Sequence, residues 1–162
     1  MTKSILITGF GPYPGVPSNP SLDLVEALAG VPGVETAVLP VEYDTVDTVL
    51  QQAVKEHAPD ALLMTGLRPS GLCVNLERVA LNLDDAAKAD NAGVMRHGEA
   101  IDPKGLPAYI SRLPLGKWCG HFIEAGVPAE ISNHAGAYIC NRVYYHAQAW
   151  AGTTEARPNL FL

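Results

Sequence analysis

Short continuous apolar runs alternate along this chain with segments whose apolar residues recur every three or four positions. Residues 4–8 (Ser-Ile-Leu-Ile-Thr), 34–39, 61–65 and 129–132 are the runs. They have the pattern of strands buried on both faces. Residues 77–82, inside the stretch 74–83, read as a further strand, and residues 159–162 as the start of another. Between them, Leu22, Val25, Leu28 and Ala29 recur at helical spacing, as do Val46, Val49, Leu50, Ala53 and Val54 within residues 43–57. Ser18 or Asn19 is placed to cap the first helix, with Pro20 at its first position. Pro59-Asp60 ends the second. Residues 115–125, closed by Gly126, and residues 138–150 read as two more helices. Residues 84–107 are polar and rich in turn formers, and read as a long surface loop.

Strands alternating with helices predict an α/β fold: an α/β/α sandwich around a mostly parallel twisted sheet, in one domain over residues 1–162. Ligands of such sheets sit at the carboxyl ends of the strands, so the loops after Thr8, Thr65 and Ser132 are the first places to look. The strand ending at residue 162 is expected to leave Leu160, Phe161 and Leu162 as an exposed apolar edge that favours association.

Composition narrows the class. Hydrophobic residues make up 48% and charged residues 17%, which suits a buried core and not a disordered chain. The net charge is −6 and Lys and Arg do not cluster, so no nucleic-acid partner is expected. The N-terminal segment has one basic residue and three consecutive apolar ones, too few for a signal-peptide core, and no run is long enough to span a membrane. A cytoplasmic location is the expectation. Cys73, Cys119 and Cys140 are odd in number and widely spaced, with no Cys-x-x-Cys, so reduced thiols are expected.

Three features carry candidate chemistry. Gly9-Phe-Gly-Pro-Tyr-Pro-Gly15 follows the first strand, but Pro12 and Pro14 break the dinucleotide fingerprint. The loop reads either as a rigid connector or as a mount for Phe10 and Tyr13 over a pocket. Glu77 beside Arg78 reads, on its own, as a solvated strand face. Cys140 stands at a strand–loop–helix junction. It is either a small buried hydrophobe or a reactive thiol whose thiolate the helix N-terminus favours. Cys119, mid-helix beside Trp118 and Phe122, reads as core. A cysteine nucleophile needs a base held by a third group. Of the five histidines, His134 lies in the bend before Cys140, and His146 on the far side of its helix. His134, Cys140 and His146 have no usual metal-ligand spacing.

Three segments resemble the pyroglutamyl peptidase I family (the pyrrolidone-carboxylate peptidases): Ile5-Leu-Ile-Thr-Gly-Phe-Gly-Pro-Tyr13 with Asn19-Pro-Ser21, Glu77-Arg-Val-Ala-Leu-Asn82, and Ser132-x-x-Ala-Gly-x-Tyr-Ile-Cys140-Asn141. Pro59-Asp60 and Asp90-Asn91 also fit, so the resemblance runs through the whole chain in order. It implies a phosphorylase/hydrolase-like α/β/α sandwich and a cysteine exopeptidase. Such an enzyme removes N-terminal pyroglutamyl residues from peptides, with no metal or organic cofactor, and forms homo-oligomers. It further implies Cys140 as nucleophile, Glu77 as the acid of a Cys-His-Glu triad, and Phe10, Tyr13 and Tyr138 as walls of the lactam pocket.

The chain also departs from the family pattern. The resemblance places the family's histidine just after a strand like residues 159–162, and this sequence stops there. The Gln expected in the loop after the third strand is Leu67. The expected basic residue is replaced near Ala87, with Lys88 adjacent, and the Ser/Thr two before the glutamate is Asn75. Two functions follow as expectations. One is a pyroglutamyl-peptidase-type thiol hydrolase, complete only with residues beyond Leu162 or a substitute base. The other is a C-terminally incomplete, catalytically inactive relative that acts as a binding module.

Overall fold

The computed structural model describes residues 3–13, 15–152 and 157–162. Met1, Thr2 and Pro14, each part of a sequence expectation above, lie outside them. The first strand, β1 (Ile5–Phe10), is buried along almost its whole length. It pairs in parallel with β2 (Val34–Leu39) on one side and with β3 (Ala61–Met64) on the other. β7 (Asn159–Phe161) extends this sheet beyond β3, giving the parallel order β2-β1-β3-β7. A second sheet, in the order β5-β4-β6, joins β4 (Val74–Leu81) in parallel to β6 (Ala129–His134) and in antiparallel to β5 (Ala108–Ile110). The single sheet expected from the sequence is thus laid out in two, β4 lying beside β7 without a ladder between them.

The helices form where capping and spacing predict. α1 (Pro20–Leu28) starts at the Asn19 side chain, whose Oδ1 accepts from the Ser21 N–H at 3.2 Å. α2 (Tyr43–His57) buries Val46, Leu50 and Ala53, and ends where Ala58 turns left-handed (φ 41°) before Pro59. α3 (Leu115–Glu124) and α4 (Ile139–Ala151) complete the set. Alternation along the strands separates two cores. Leu62, Met64 and Phe161 face α2 and α4, whereas Leu63 and Leu160 pack with Trp118, Cys119 and Phe122 of α3. α1 packs against β1 and β2. The result is a mostly parallel α/β arrangement with helices on both faces. α4 touches β3 and β7 of one sheet and β4 and β5 of the other, which makes it the element that bridges them.

Two expectations are corrected. Residues 84–107 are not merely a surface loop: Asp84, Asp90 and Ile101 are buried. The Asp90 carboxylate accepts from the backbone N–H groups of Tyr43, Ala92 and Val94 at 2.8–2.9 Å, and so caps the start of α2. Asp84 is held by Arg96 and Arg142. Polar composition suggests solvation, but carboxylates can be buried when arginines and backbone N–H groups answer them. Nor is the apolar end exposed. Leu160 and Phe161 are 2% and 4% exposed, because β7 sits against β3 and sends alternate side chains into the two cores. β5, which the sequence pattern did not predict, is a three-residue edge strand. No helix among the described residues is long and apolar enough to cross a membrane.

Candidate active site

The carboxyl ends of β1, β3 and β6 converge on the first turn of α4. The β1 loop is fastened from below. Ser21 Oγ accepts from the Phe10 N–H at 2.9 Å and donates to Asn19 Oδ1 at 2.8 Å, while Asn19 Nδ2 donates to the Gly11 carbonyl at 3.1 Å. Both polar side chains are buried, so they fix Phe10 and the chain leading to Tyr13. After β3, the Gly66 N–H donates to the Leu162 carbonyl at 3.0 Å. A Cβ on Gly66 would stand 2.9 Å from Phe161 Cζ and 3.1 Å from Cys140 Sγ, so only glycine lets the backbone pass this close to the thiol.

Cys140 is the second residue of α4. The N–H groups of Ile139 and Cys140 donate to no backbone carbonyl among the described residues, as expected at a helix start. Two buried anchors on α4 hold this turn against β4. Asn141 donates through Nδ2 to the Leu81 and Leu83 carbonyls at 2.9 and 3.0 Å, and its Oδ1 accepts from the Leu81 N–H at 2.9 Å. Tyr144 donates its hydroxyl to the Glu77 carbonyl at 3.0 Å. The strand carrying Glu77 and the helix carrying Cys140 are therefore one rigid unit.

The structure brings Phe10, Tyr13, Tyr138 and Cys140 together around a single cavity of about 30 Å³. Tyr138 is set by an edge-on contact with Tyr43, centroids 5.7 Å apart, and by its hydroxyl donating to the Ala89 carbonyl at 3.0 Å. Leu67 and Lys88, both at positions where the sequence departs from the family pattern, also line the cavity. The Lys88 ammonium lies 4.4 Å from the ring centroids of both Tyr13 and Tyr138.

Glu77 corrects the solvated-face expectation: it is 5% exposed, while Arg78 points outward to Asn133 Oδ1 at 3.0 Å. Its Oε2 is buried and has no hydrogen-bond partner among the described residues. Burial raises its pKa above the usual carboxylate value, while the Ser132 hydroxyl and the charges of His134 and Arg68 oppose the rise. The effect of the helix start on Cys140 is also outweighed. Burial pushes the thiol up to about 12, with Glu77 adding to the rise and Lys88 working against it. In this state Cys140 is a thiol and not the thiolate that a helix N-terminus alone would favour. The Glu77 carboxylate thus lies within electrostatic range of the Cys140 sulfur, and no hydrogen bond joins the two among the described residues.

No histidine stands between them among the described residues. His134 ends β6, exposed, and its Nδ1 accepts from the Gly136 N–H at 3.1 Å. His146 lies 3.2 Å from Asp47 Oδ2 and faces a separate, larger cavity of about 560 Å³ between α2 and α4, which contains no cysteine. Cys119 packs in the α3 core, as expected, and Cys73 is partly buried beside Asn75, its Sγ 3.9 Å from Asn75 Oδ1.

A sequence model of the pyroglutamyl peptidase family matches residues 3–158. A pyrrolidone-carboxylate peptidase of Vibrio vulnificus is 43% identical over 161 residues, covering 96% of this chain and 75% of the relative. One from Deinococcus radiodurans is 39% identical over 152 residues, covering 91% and 70%. The crystal structure of pyroglutamyl peptidase I from Bacillus amyloliquefaciens superposes with a TM-score of 0.92 at 30% identity, over 100% of this chain and 80% of that one. That of the pyrrolidone carboxyl peptidase from Fervidobacterium islandicum gives 0.91 at 33%, over 99% and 80%.

Proposed function

Because the chain belongs to the pyroglutamyl peptidase family, we propose that it hydrolyses the amide after an N-terminal pyroglutamyl residue, with Cys140 as nucleophile. The observation that carries this reading is the Cys140 thiol in the first turn of α4, opening into an aromatic cavity and accompanied by the buried Glu77 carboxylate, whose Oε2 has no partner among the described residues. Pyroglutamate is a flat neutral ring, and a slot walled by Phe10, Tyr13 and Tyr138 suits its faces. The Cys140 sulfur, once deprotonated, attacks the exocyclic carbonyl carbon. The oxyanion is held by the N–H groups at the start of α4. The C–N bond then breaks, the amine leaves with a proton, and a thioester remains. Water adds to the thioester, the C–S bond breaks, and pyroglutamate and the thiol are regenerated.

Glu77 has the role of orienting an imidazole and stabilising its cationic form. Its buried, unanswered Oε2 is what such a role requires. A second reading is a member that binds pyroglutamyl peptides without turnover. It is favoured by the thiol's upward shift to about 12 and by the lack of any hydrogen bond from a histidine to Cys140 or Glu77 among the described residues.

Fluorophore release from a pyroglutamyl-coumarin amide separates the two. The peptidase reading expects turnover that Cys140→Ala abolishes and that Cys73→Ala and Cys119→Ala leave intact. Activity retained in Cys140→Ala overturns the assignment of the nucleophile. A folded, monodisperse protein that binds pyroglutamyl peptides without release supports the second reading.

A further inference from the structure

One group at the site is not explained by the chemistry above. Lys88 projects from the strap of residues 84–107, with an exposed stem, and its ammonium rests between the rings of Tyr13 and Tyr138, 4.4 Å from each centroid. Stacking on two ring faces holds a cation without using its N–H donors directionally. Among the described residues no carboxylate forms an ion pair with Lys88. The ammonium therefore brings three donors to the cavity that also holds Cys140 and Phe10, and no hydrogen-bond acceptor answers them among the described residues. The cavity is small, about 30 Å³, and the ammonium itself sits in it between the two rings. The Lys88 head must move before an acyl group can lie between the two tyrosines.

It cannot move far. The strap is fastened on both sides of Lys88, by Asp84 to Arg96 and Arg142 on one side and by the Asp90 turn on the other. The Tyr138 hydroxyl also holds the neighbouring Ala89 carbonyl at 3.0 Å. A displaced ammonium stays at the mouth, at the edge of whatever ring has entered. An acyl group with an oxygen at that edge offers it a charge-assisted hydrogen bond in exchange for the lost ring contacts. A hydrocarbon acyl group takes those contacts away and offers nothing.

We propose that Lys88 is a specificity-determining residue of the acyl pocket: its ammonium, stacked between Tyr13 and Tyr138, selects acyl groups that carry an oxygen acceptor at their far edge. Lactam carbonyls and carboxylates share this chemistry. The inference rests on the reading of the aromatic cavity as the acyl site, and its test does not require turnover.

The rate of Cys140 alkylation by iodoacetamide is followed by peptide mass spectrometry, and three amides are titrated as protectants: pyroglutamide, cyclopentanecarboxamide and the monoamide of glutaric acid. Each protein is compared with itself, so a changed intrinsic thiol reactivity cancels. In the unaltered protein, pyroglutamide or the glutaric monoamide is expected to protect at least about tenfold more tightly than cyclopentanecarboxamide. Lys88→Met is expected to bring the three within about twofold, and Lys88→Arg, which can stack and donate, to restore the gap. Tighter protection by the monoamide identifies a carboxylate as the preferred acceptor, and the reverse order identifies the lactam carbonyl; both support the inference. A gap that survives in Lys88→Met overturns it and leaves the acyl site standing. If none of the amides protects Cys140 in folded protein, the acyl-site reading fails and this inference fails with it.

Discussion

At the scale of single residues, the site is a conflict between burial and charge. Cys140 occupies a helix start, which favours a thiolate, but its sulfur is packed against Gly66, and Glu77 lies within electrostatic range. Burial wins, with the thiol pushed up to about 12. Alkylation of Cys140 in the free protein is therefore expected to accelerate about tenfold per pH unit from pH 7 to 10 with no plateau. Peptide mapping against Cys73 and Cys119 measures this, and a plateau reached by pH 8 would show a base coupled to the thiol. Glu77 gives the matching prediction for stability. Its pKa is raised in the folded protein, so the fold disfavours its ionised form. Stability is fully present below the ordinary value of 4.5 and declines as pH rises through the raised folded value. Glu77→Gln removes that loss. The variant is expected to melt at a higher temperature than the unaltered protein at pH 8, and to lose the advantage below pH 4.5. Equal shifts at both pH values would show that no titration is involved.

At the scale of elements, the site depends on how α4 is fastened to β4. Asn141, itself fully buried, satisfies both backbone groups of Leu81 and the carbonyl of Leu83. Asn141→Ala strands three polar groups and is expected to cost about 3 kcal/mol in urea unfolding. A loss below about 1 kcal/mol would mean that water replaces the amide. The same fastening explains what could be read in advance. Strands β1, β2 and β3 and helices α1 and α2 announce themselves through the spacing of their apolar residues. Phe10, Tyr13 and Cys140 follow from the loops that leave one sheet edge, and Tyr138 from the family resemblance. The ordering of residues 84–107 was not legible, because it rests on pairings between residues far apart in sequence. Asp84 meets Arg142, and Asp90 caps Tyr43. Such pairings have no local period. Lys88 was legible only as a departure from the family pattern, because only the folded strap brings it over Tyr13 and Tyr138. Glu77 looked solvated because a single charge in a strand usually is.

At the scale of the whole molecule, β7 couples the two cores to the site. Its neighbours Leu160 and Phe161 are both buried but point to opposite faces. Leu160 joins Leu76, Leu115 and Trp118, while the Phe161 ring lies tilted against Tyr144, centroids 6.0 Å apart, and closes on Gly66 beside Cys140. Truncating either opens a cavity in a packed interior, so Leu160→Ala and Phe161→Ala are each expected to lose about 3–4 kcal/mol in denaturant unfolding. Their effects on the thiol should differ. Phe161→Ala removes the ring nearest the thiol's backbone neighbour and admits water, so the desolvation that raises Cys140 is relieved and its alkylation at pH 8 quickens. Leu160→Ala weakens the opposite face and leaves that rate unchanged at matched stability. Measuring both variants in the same denaturant series separates general loosening from local exposure. If the two accelerate alkylation equally, the thiol reports the global fold, and the division of the interior into two faces has no bearing on the site.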